Sequence, residues 1–182
     1  MDVTLKKVTR RFPDHKLLKQ LYKKAFPIEE RAPFWLLSAK AKKENVDFWA
    51  IYDSHKFVGL IYIVNYADLS YIFYFAVLDS ERGKGYGSKV LETVKQKYQN
   101  RRIFLAIEQL DEDSENYDIR VKRKRFYRQN GFVALDLKLK EASVVYELMG
   151  IGGTVTAQEY DLLIGAYAGR LLKRLVTMKI IE

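Results

Sequence analysis

The stretch Arg82-Gly83-Lys84-Gly85-Tyr86-Gly87-Ser88 decides how this 182-residue chain is read. It follows an apolar run, Phe75-Ala76-Val77-Leu78, and precedes apolar residues at helical spacing, Val90, Leu91, Val94 and Tyr98, so it joins a strand to a helix. At such a junction successive backbone N–H groups and a helix N-terminus converge on one point and favour an anion there. Glycines let the main chain approach a phosphate with no Cβ in the way. Arg82 and Lys84 add positive charge at the same place. Spacing excludes the P-loop, because no Gly-Lys-Ser/Thr tripeptide follows. A dinucleotide fingerprint needs glycine where Ser88 stands, although Glu108 lies near the distance of a ribose-binding acid and keeps that reading as a minor alternative.

Outward from the turn, Arg102-Ile103-Phe104-Leu105-Ala106-Ile107 completes a strand, helix, strand unit whose strands are expected to be parallel neighbours. Upstream, Phe48-Trp49-Ala50-Ile51-Tyr52, the run 57–64 and the run 71–78 are aromatic and β-branched strands. The first two flank a polar turn, Asp53-Ser54-His55-Lys56, and should form an antiparallel hairpin. Leu17, Leu18, Leu21, Tyr22 and Ala25 mark one N-terminal helix and Phe34, Leu37 and Ala41 a second, with Pro27 and Pro33 bracketing the junction. A further helix is predicted from about Asn116 to Gln129, ending at Asn130-Gly131. Two strands near 132–139 and 144–149 follow. After Gly150-Ile151-Gly152-Gly153, the capping box Thr156-Ala157-Gln158-Glu159 starts a last helix. The sum is an α+β (mixed α/β) domain with a largely antiparallel sheet flanked by helices. It is read as one domain over 1–149 with a C-terminal helical extension, 150–182, on the same domain. That extension is expected outside the shared core, closing the acceptor side or making a subunit contact in a homodimer.

Composition narrows the chemistry. With no cysteine and two histidines, His15 and His55, the chain offers no thiolate nucleophile and no ready metal site, so no metal is expected. The formal charge of +9, from 32 basic and 23 acidic residues, favours an anionic partner without naming it. There is no apolar run long enough for a membrane span, and the opening residues lack the pattern of a signal peptide, so a cytoplasmic protein without membrane contact is expected.

The chain resembles the GNAT superfamily of acetyl-CoA-dependent N-acetyltransferases. Arg82, Gly85 and Gly87 match its phosphate loop, in which Arg or Gln is followed after two residues by Gly, any residue, then Gly or Ala. Phe126-Tyr127-Arg128-Gln129-Asn130-Gly131-Phe132 matches its second element, an aromatic or aliphatic residue and Tyr, three residues, then Gly-Phe. The resemblance covers roughly 47–149. It implies a strand that splays before the turn, whose main-chain groups at Phe75, Ala76 and Val77 bond the pantetheine arm of acetyl-CoA. It also implies pyrophosphate on the N–H groups of Gly83, Lys84, Gly85, Tyr86, Gly87 and Ser88. Tyr127 matches the general acid. No carboxylate stands on the strand before the turn, so the base is open: Glu108 is the first choice, with Glu29, Glu30 or an ordered water as rivals. The junction holding Glu29, Glu30, Arg31 and Phe34 occupies the place where relatives bind the amine acceptor, here a small-molecule or peptide amine.

One departure from the family is plain. Many relatives have Asn seven residues before the Tyr and a small residue four before it, where this chain has Arg120 and Arg123. Together with Lys122, Lys124, Arg125 and Arg128 they make a strongly basic helix, read either as a cofactor or acceptor contact or as a solvated face. Two other functions remain in view. A basic nucleic-acid-binding module is the weaker one, since no RNA-recognition signature appears. A GNAT domain that binds acyl-CoA without turnover is the other.

Overall fold

Eight consecutive buried residues, Phe57 to Val64, mark the strand around which the N-terminal half is built. A strand buried on both faces reads as a continuous apolar run rather than an alternation. The computed structural model describes residues 2–9, 12–141, 143–172 and 179–181, without the side chains of residues 29 and 170–172. The chain divides into two compact units, Met1–Val64 with Ile72–Lys97, and Asn65–Tyr71 with Tyr98–Glu182. The hydrogen-bonded strand order is β1-β2-β3-β4-β5-β7-β6-β8, an α+β fold whose sheet is mostly antiparallel.

In the first unit β1 (Val3–Lys7) pairs antiparallel with β2 (Val46–Asp53), and β2 with β3 (Lys56–Tyr66). The β2–β3 hairpin closes on the register pair Asp53↔Lys56, and Ser54 in its turn has φ 55°. β4 (Leu69–Val77) follows, and a Cβ on Gly59 would stand 2.5 Å from the Ala76 carbonyl oxygen. Only glycine allows β3 that approach to β4. The helices α1 (His15–Ala25), α2 (Phe34–Lys40) and α3 (Tyr86–Lys97) bury Leu18, Leu21 and Tyr22, Phe34 and Leu37, and Val90, Leu91 and Val94. Each set recurs at helical spacing.

In the second unit the first residues of β4 pair in parallel with β5 (Arg102–Glu108), and the ladder ends at Tyr71↔Phe104. β5 pairs antiparallel with β7 (Val144–Ile151), and β7 with β6 (Val133–Glu141), whose register shifts between Ala134 and Lys138. β8 (Lys179–Ile181) adds to the outer side of β6. α4 spans Tyr117–Gln129 and α5 Ala157–Leu172, with a left-handed break at Gly169. Among the described residues no helix is long and apolar enough to cross a membrane.

The described residues from Val155 to Ala168 are integral to this second unit. Tyr160, Leu163, Ile164, Tyr167 and Ala168 of α5 are buried. The Tyr160 ring meets Tyr71 and Phe104 edge-on at 5.9 and 6.4 Å, and those two rings stack at 4.6 Å. The capping box is formed: Thr156 N–H donates to Glu159 Oε2 (2.9 Å) and Glu159 N–H to Thr156 Oγ1 (3.2 Å). Arg102 fastens the helix start to the sheet, donating to both oxygens of Asp68 (2.7 and 2.8 Å) and both of Glu159 (2.6 and 3.2 Å).

The Arg102 hydrogen bonds, then the Thr156 N–H, hold the Glu159 carboxyl down to about 2, against an ordinary value of 4.5. A depressed folded-state value gives stability that is present above the unfolded value and lost as pH falls through the folded one. Melting followed by calorimetry should therefore show a decline between about pH 5 and pH 2 that is shallower in Glu159→Gln. Parallel profiles would show that the pair adds nothing to acid stability.

Candidate active site

Gly83 and Gly85 have φ of 75° and 86°, the left-handed region that side chains with a Cβ rarely enter. A Cβ on Gly83 would meet nothing within 4 Å, so glycine serves the backbone angle there and leaves space open beside it. The turn delivers the chain into α3, a helix of 12 residues beginning at Tyr86. The N–H groups of its first turn have no intrahelical acceptor, which makes this end a natural anion site. The two cations of the turn are already engaged. Arg82 Nη2 lies 3.0 Å from Asp79 Oδ1, and Lys84 Nζ lies 3.2 Å from Glu81 Oε2. Lys24 also pairs with Asp79 (2.6 Å), and Lys56 with Glu81 (2.6 Å). What this turn offers an anion is thus backbone N–H groups more than unpaired side-chain charge. Of the preceding strand residues, Ala76 is buried while Phe75 and Val77 are half-buried.

The acceptor-side expectation fell on the segment between α1 and α2. Tyr74 Oη donates to Glu30 O (2.9 Å) and accepts from Ala32 N–H (3.1 Å), while Tyr22 Oη donates to Ala32 O (2.9 Å). Arg31 Nη1 donates to Lys23 O (2.8 Å). Two phenols and a guanidinium therefore fix this backbone from three directions. Glu29 lies in a 3-10 turn, Ile28–Glu30, and its side chain is outside those described. Phe34 is buried against His15, Tyr22 and Phe48. The apolar groups this segment presents to solvent are instead Ile28 and Trp35, each 71% exposed. The helical spacing of Phe34, Leu37 and Ala41 places Phe34 inward, and the structure buries all three.

In the second unit Tyr127 lies on α4, buried between Phe126 and Phe132. Burial pushes its phenol up to about 12, with Arg123 opposing. Its hydroxyl has no hydrogen-bond partner among the described residues. Glu108 ends β5, and both its oxygens are engaged. Oε1 takes Asn116 Nδ2 (3.1 Å) and Arg120 Nη2 (3.2 Å), and Oε2 takes Arg123 Nη1 (2.8 Å). Arg120 also donates to Asn116 Oδ1 (2.7 Å) and Gln109 O (2.9 Å). Lys124 reaches both oxygens of Glu147 at 2.8 Å. Arg120, Arg123 and Lys124, half of the helix's basic residues, therefore belong to internal pairs. Among the described residues, no cluster of three or more His, Cys, Asp or Glu could hold a metal.

Residues 44–134 match the model of the acetyltransferase (GNAT) domain. The chain belongs to the GNAT acetyltransferase family. It is 36% identical over 110 residues to YjbC of Bacillus subtilis (strain 168), whose name places it among acetyltransferases; the match covers 59% of this chain and 52% of that one. The chain thus spans about half the length of that curated relative. A GNAT-family protein of Bacteroides thetaiotaomicron superposes with a TM-score of 0.74 at 21% identity, over 93% of this chain and 98% of that one. A GNAT acetyltransferase of Elizabethkingia anophelis with acetyl-CoA bound superposes with a TM-score of 0.59 at 11% identity, over 84% and 99%. These likenesses fix the fold.

Within this GNAT chain the departure at Arg120 and Arg123 has a structural account: both residues clamp Glu108. Arg120 and Glu108 expose 10% and 12% of their side chains, so removing one leaves the other's charge poorly solvated. Glu108→Ala should cost about 1–3 kcal/mol of stability, read by urea unfolding. A loss below a few tenths would mean the clamp is incidental.

Proposed function

We propose that this GNAT chain is an N-acetyltransferase that passes the acetyl group of acetyl-CoA to a primary amine by direct attack on the thioester. The turn at Gly83 and Gly85 carries the reading. Two left-handed residues, open space beside Gly83 and the start of α3 together form a cradle suited to a polyphosphate. The N–H groups of Gly83 to Ser88 hold the pyrophosphate. The main-chain groups of Phe75, Ala76 and Val77, which lie beyond the part of β4 paired with β5, hold the pantetheine arm.

In the chemical step the amine nitrogen bonds to the acetyl carbonyl carbon and the C–S bond breaks. Tyr127 Oη gives its proton to the departing sulfur, and solvent restores it. A phenol at about 12 is protonated at neutral pH, and without a competing acceptor its proton is available. The nitrogen must also lose a proton. Glu108 keeps neither oxygen unengaged, so water is the better acceptor, and Glu108 instead holds α4, and with it Tyr127, against the end of β5. The acceptor is a small-molecule or peptide amine bound near Glu30, Arg31 and the exposed Trp35.

Acetyl-CoA should raise the melting temperature of the wild type in proportion to RT ln(1 + [L]/Kd). Gly85→Val should abolish that shift by barring the left-handed turn; an unchanged affinity would defeat the loop assignment. Tyr127→Phe should leave acetyl-CoA affinity nearly intact while lowering kcat by roughly 10²–10⁴, measured by thiol release with the best amine from a panel. Near wild-type kcat would remove the acid from the mechanism, and lost stability with little kinetic effect would mark a packing tyrosine.

A further inference from the structure

We propose that the tip of the β2–β3 hairpin is a brace for the glycine turn, and that Asp53, Lys56, Glu81 and Tyr86 are positioning residues for the phosphates of the acetyl donor. The inference rests on reading that turn as the donor's phosphate site. Asp53 and Lys56 are register partners at the closed end of the hairpin, so their backbone positions are set by the β2–β3 ladder. Each reaches one flank of the turn. Tyr86, the first residue of α3 and 8% exposed, donates its hydroxyl to Asp53 Oδ2 at 2.6 Å. The other oxygen of Asp53 accepts the Asp2 N–H at 2.8 Å, so the carboxylate is held from both sides. On the opposite flank Lys56 Nζ meets Glu81 Oε1 at 2.6 Å, and Glu81 Oε2 meets Lys84 Nζ at 3.2 Å.

Glu81 decides between two accounts of these contacts. A carboxylate beside a phosphate site has the wrong sign for attraction, and the Glu81 side chain is only 4% exposed. A turn built for charge alone gains nothing from it. A turn built for shape gains a great deal, because Gly83 and Gly85 leave the backbone free to wander unless both flanks are fixed. Fixing the N–H vectors before the ligand arrives lowers the ordering cost of binding. Lys84 accordingly acts as a tether to Glu81 rather than as a free cation.

The test compares acetyl-CoA with S-acetylpantetheine, which carries the same thioester and arm but no phosphate. Affinities are read by calorimetry and turnover by thiol release, with Glu81→Gln, Tyr86→Phe and Lys56→Arg beside the wild type. Glu81→Gln and Tyr86→Phe should each raise Kd and KM for acetyl-CoA about tenfold, the scale of one lost charge-assisted hydrogen bond. Saturated kcat should stay within about twofold of the wild type, and kcat/KM for S-acetylpantetheine should not change. Lys56→Arg, which keeps the cation, should bind as the wild type does. Tyr86→Phe retains the ring and tests the brace without opening the core. Tighter acetyl-CoA binding by Glu81→Gln would show that the carboxylate merely opposes the ligand and would overturn the proposal, as would equal losses with both donors. A folded wild type that binds no acetyl-CoA overturns the phosphate-site reading and the brace with it, whereas wild-type binding with unaltered variants overturns the brace alone.

Discussion

A chain that leaves a buried strand and must start a helix through two left-handed residues has to be told where to turn. Gly83 and Gly85 remove the steric objection to that path but add none of the guidance. Guidance comes from residues on either side: Arg82 and Glu81 before the helix, Tyr86 at its first position. Once this segment is fixed, the first-turn N–H groups of α3 face one region, and the helix dipole favours negative charge there. On the proposed reading of this turn as a phosphate site, the polar tip of the β2–β3 hairpin and the ion pairs of Arg82, Lys84, Asp79 and Glu81 share one reason. A tight anion site made from backbone needs rigid neighbours more than it needs extra cations.

The second unit is organised by a different constraint, the need to satisfy Glu108. A carboxylate at the end of β5 with 12% exposure must find donors, and Asn116, the residue before α4, supplies one while Arg120 and Arg123 of α4 supply the others from the same face. Such buried pairs contribute less to stability than to fixing one arrangement over others. Here the arrangement fixed is the rotation of α4 about its axis, which also sets where Tyr127, one turn beyond Arg123, presents its hydroxyl. Of the basic residues of that helix, read from sequence as a solvated face or a cofactor or acceptor contact, Arg120 is buried, while Lys122, Arg123, Arg125 and Arg128 stay exposed even though Arg123 reaches Glu108.

Local patterns were legible, and so was the parallel pairing of β4 with β5 across the strand-turn-helix-strand unit, whereas the pairings of the edge strands were not. The hairpin, the strand-turn-helix unit around Gly83, the helix ending at Gln129 and the capping box at Thr156 all follow from spacing within a dozen residues. β1 and β8 went unread because Val3–Lys7 and Lys179–Ile181 are short and lysine-bearing, and become strands only through their partners β2 and β6. The two cations of the turn were visible, but so were Asp79 and Glu81, each three residues before one of them; that spacing was the available signal of pairing. Nothing local announces that Lys56 reaches Glu81, since the hairpin register places it there. Phe34, Leu37 and Ala41 fixed the phase of the buried face of α2 by their spacing, but that same burial, which withdraws the Phe34 ring from solvent, was not legible in the expectation that Phe34 meets the acceptor.

The Tyr86 and Tyr127 phenols are both pushed up to about 12, and the causes differ. For Tyr86 the first cause is its hydrogen bond to Asp53, so the proton is committed to a carboxylate and the residue can hold a position but cannot give the proton away without losing it. For Tyr127 the cause is burial among aromatic rings, which disfavours phenolate without supplying an acceptor. Its proton is retained against water, and in the proposed reaction a thiolate formed beside it would supply the acceptor that the resting site lacks. The same upward displacement thus suits one tyrosine to a tether and the other to the proposed role of acid, and the hydrogen-bond partner distinguishes them.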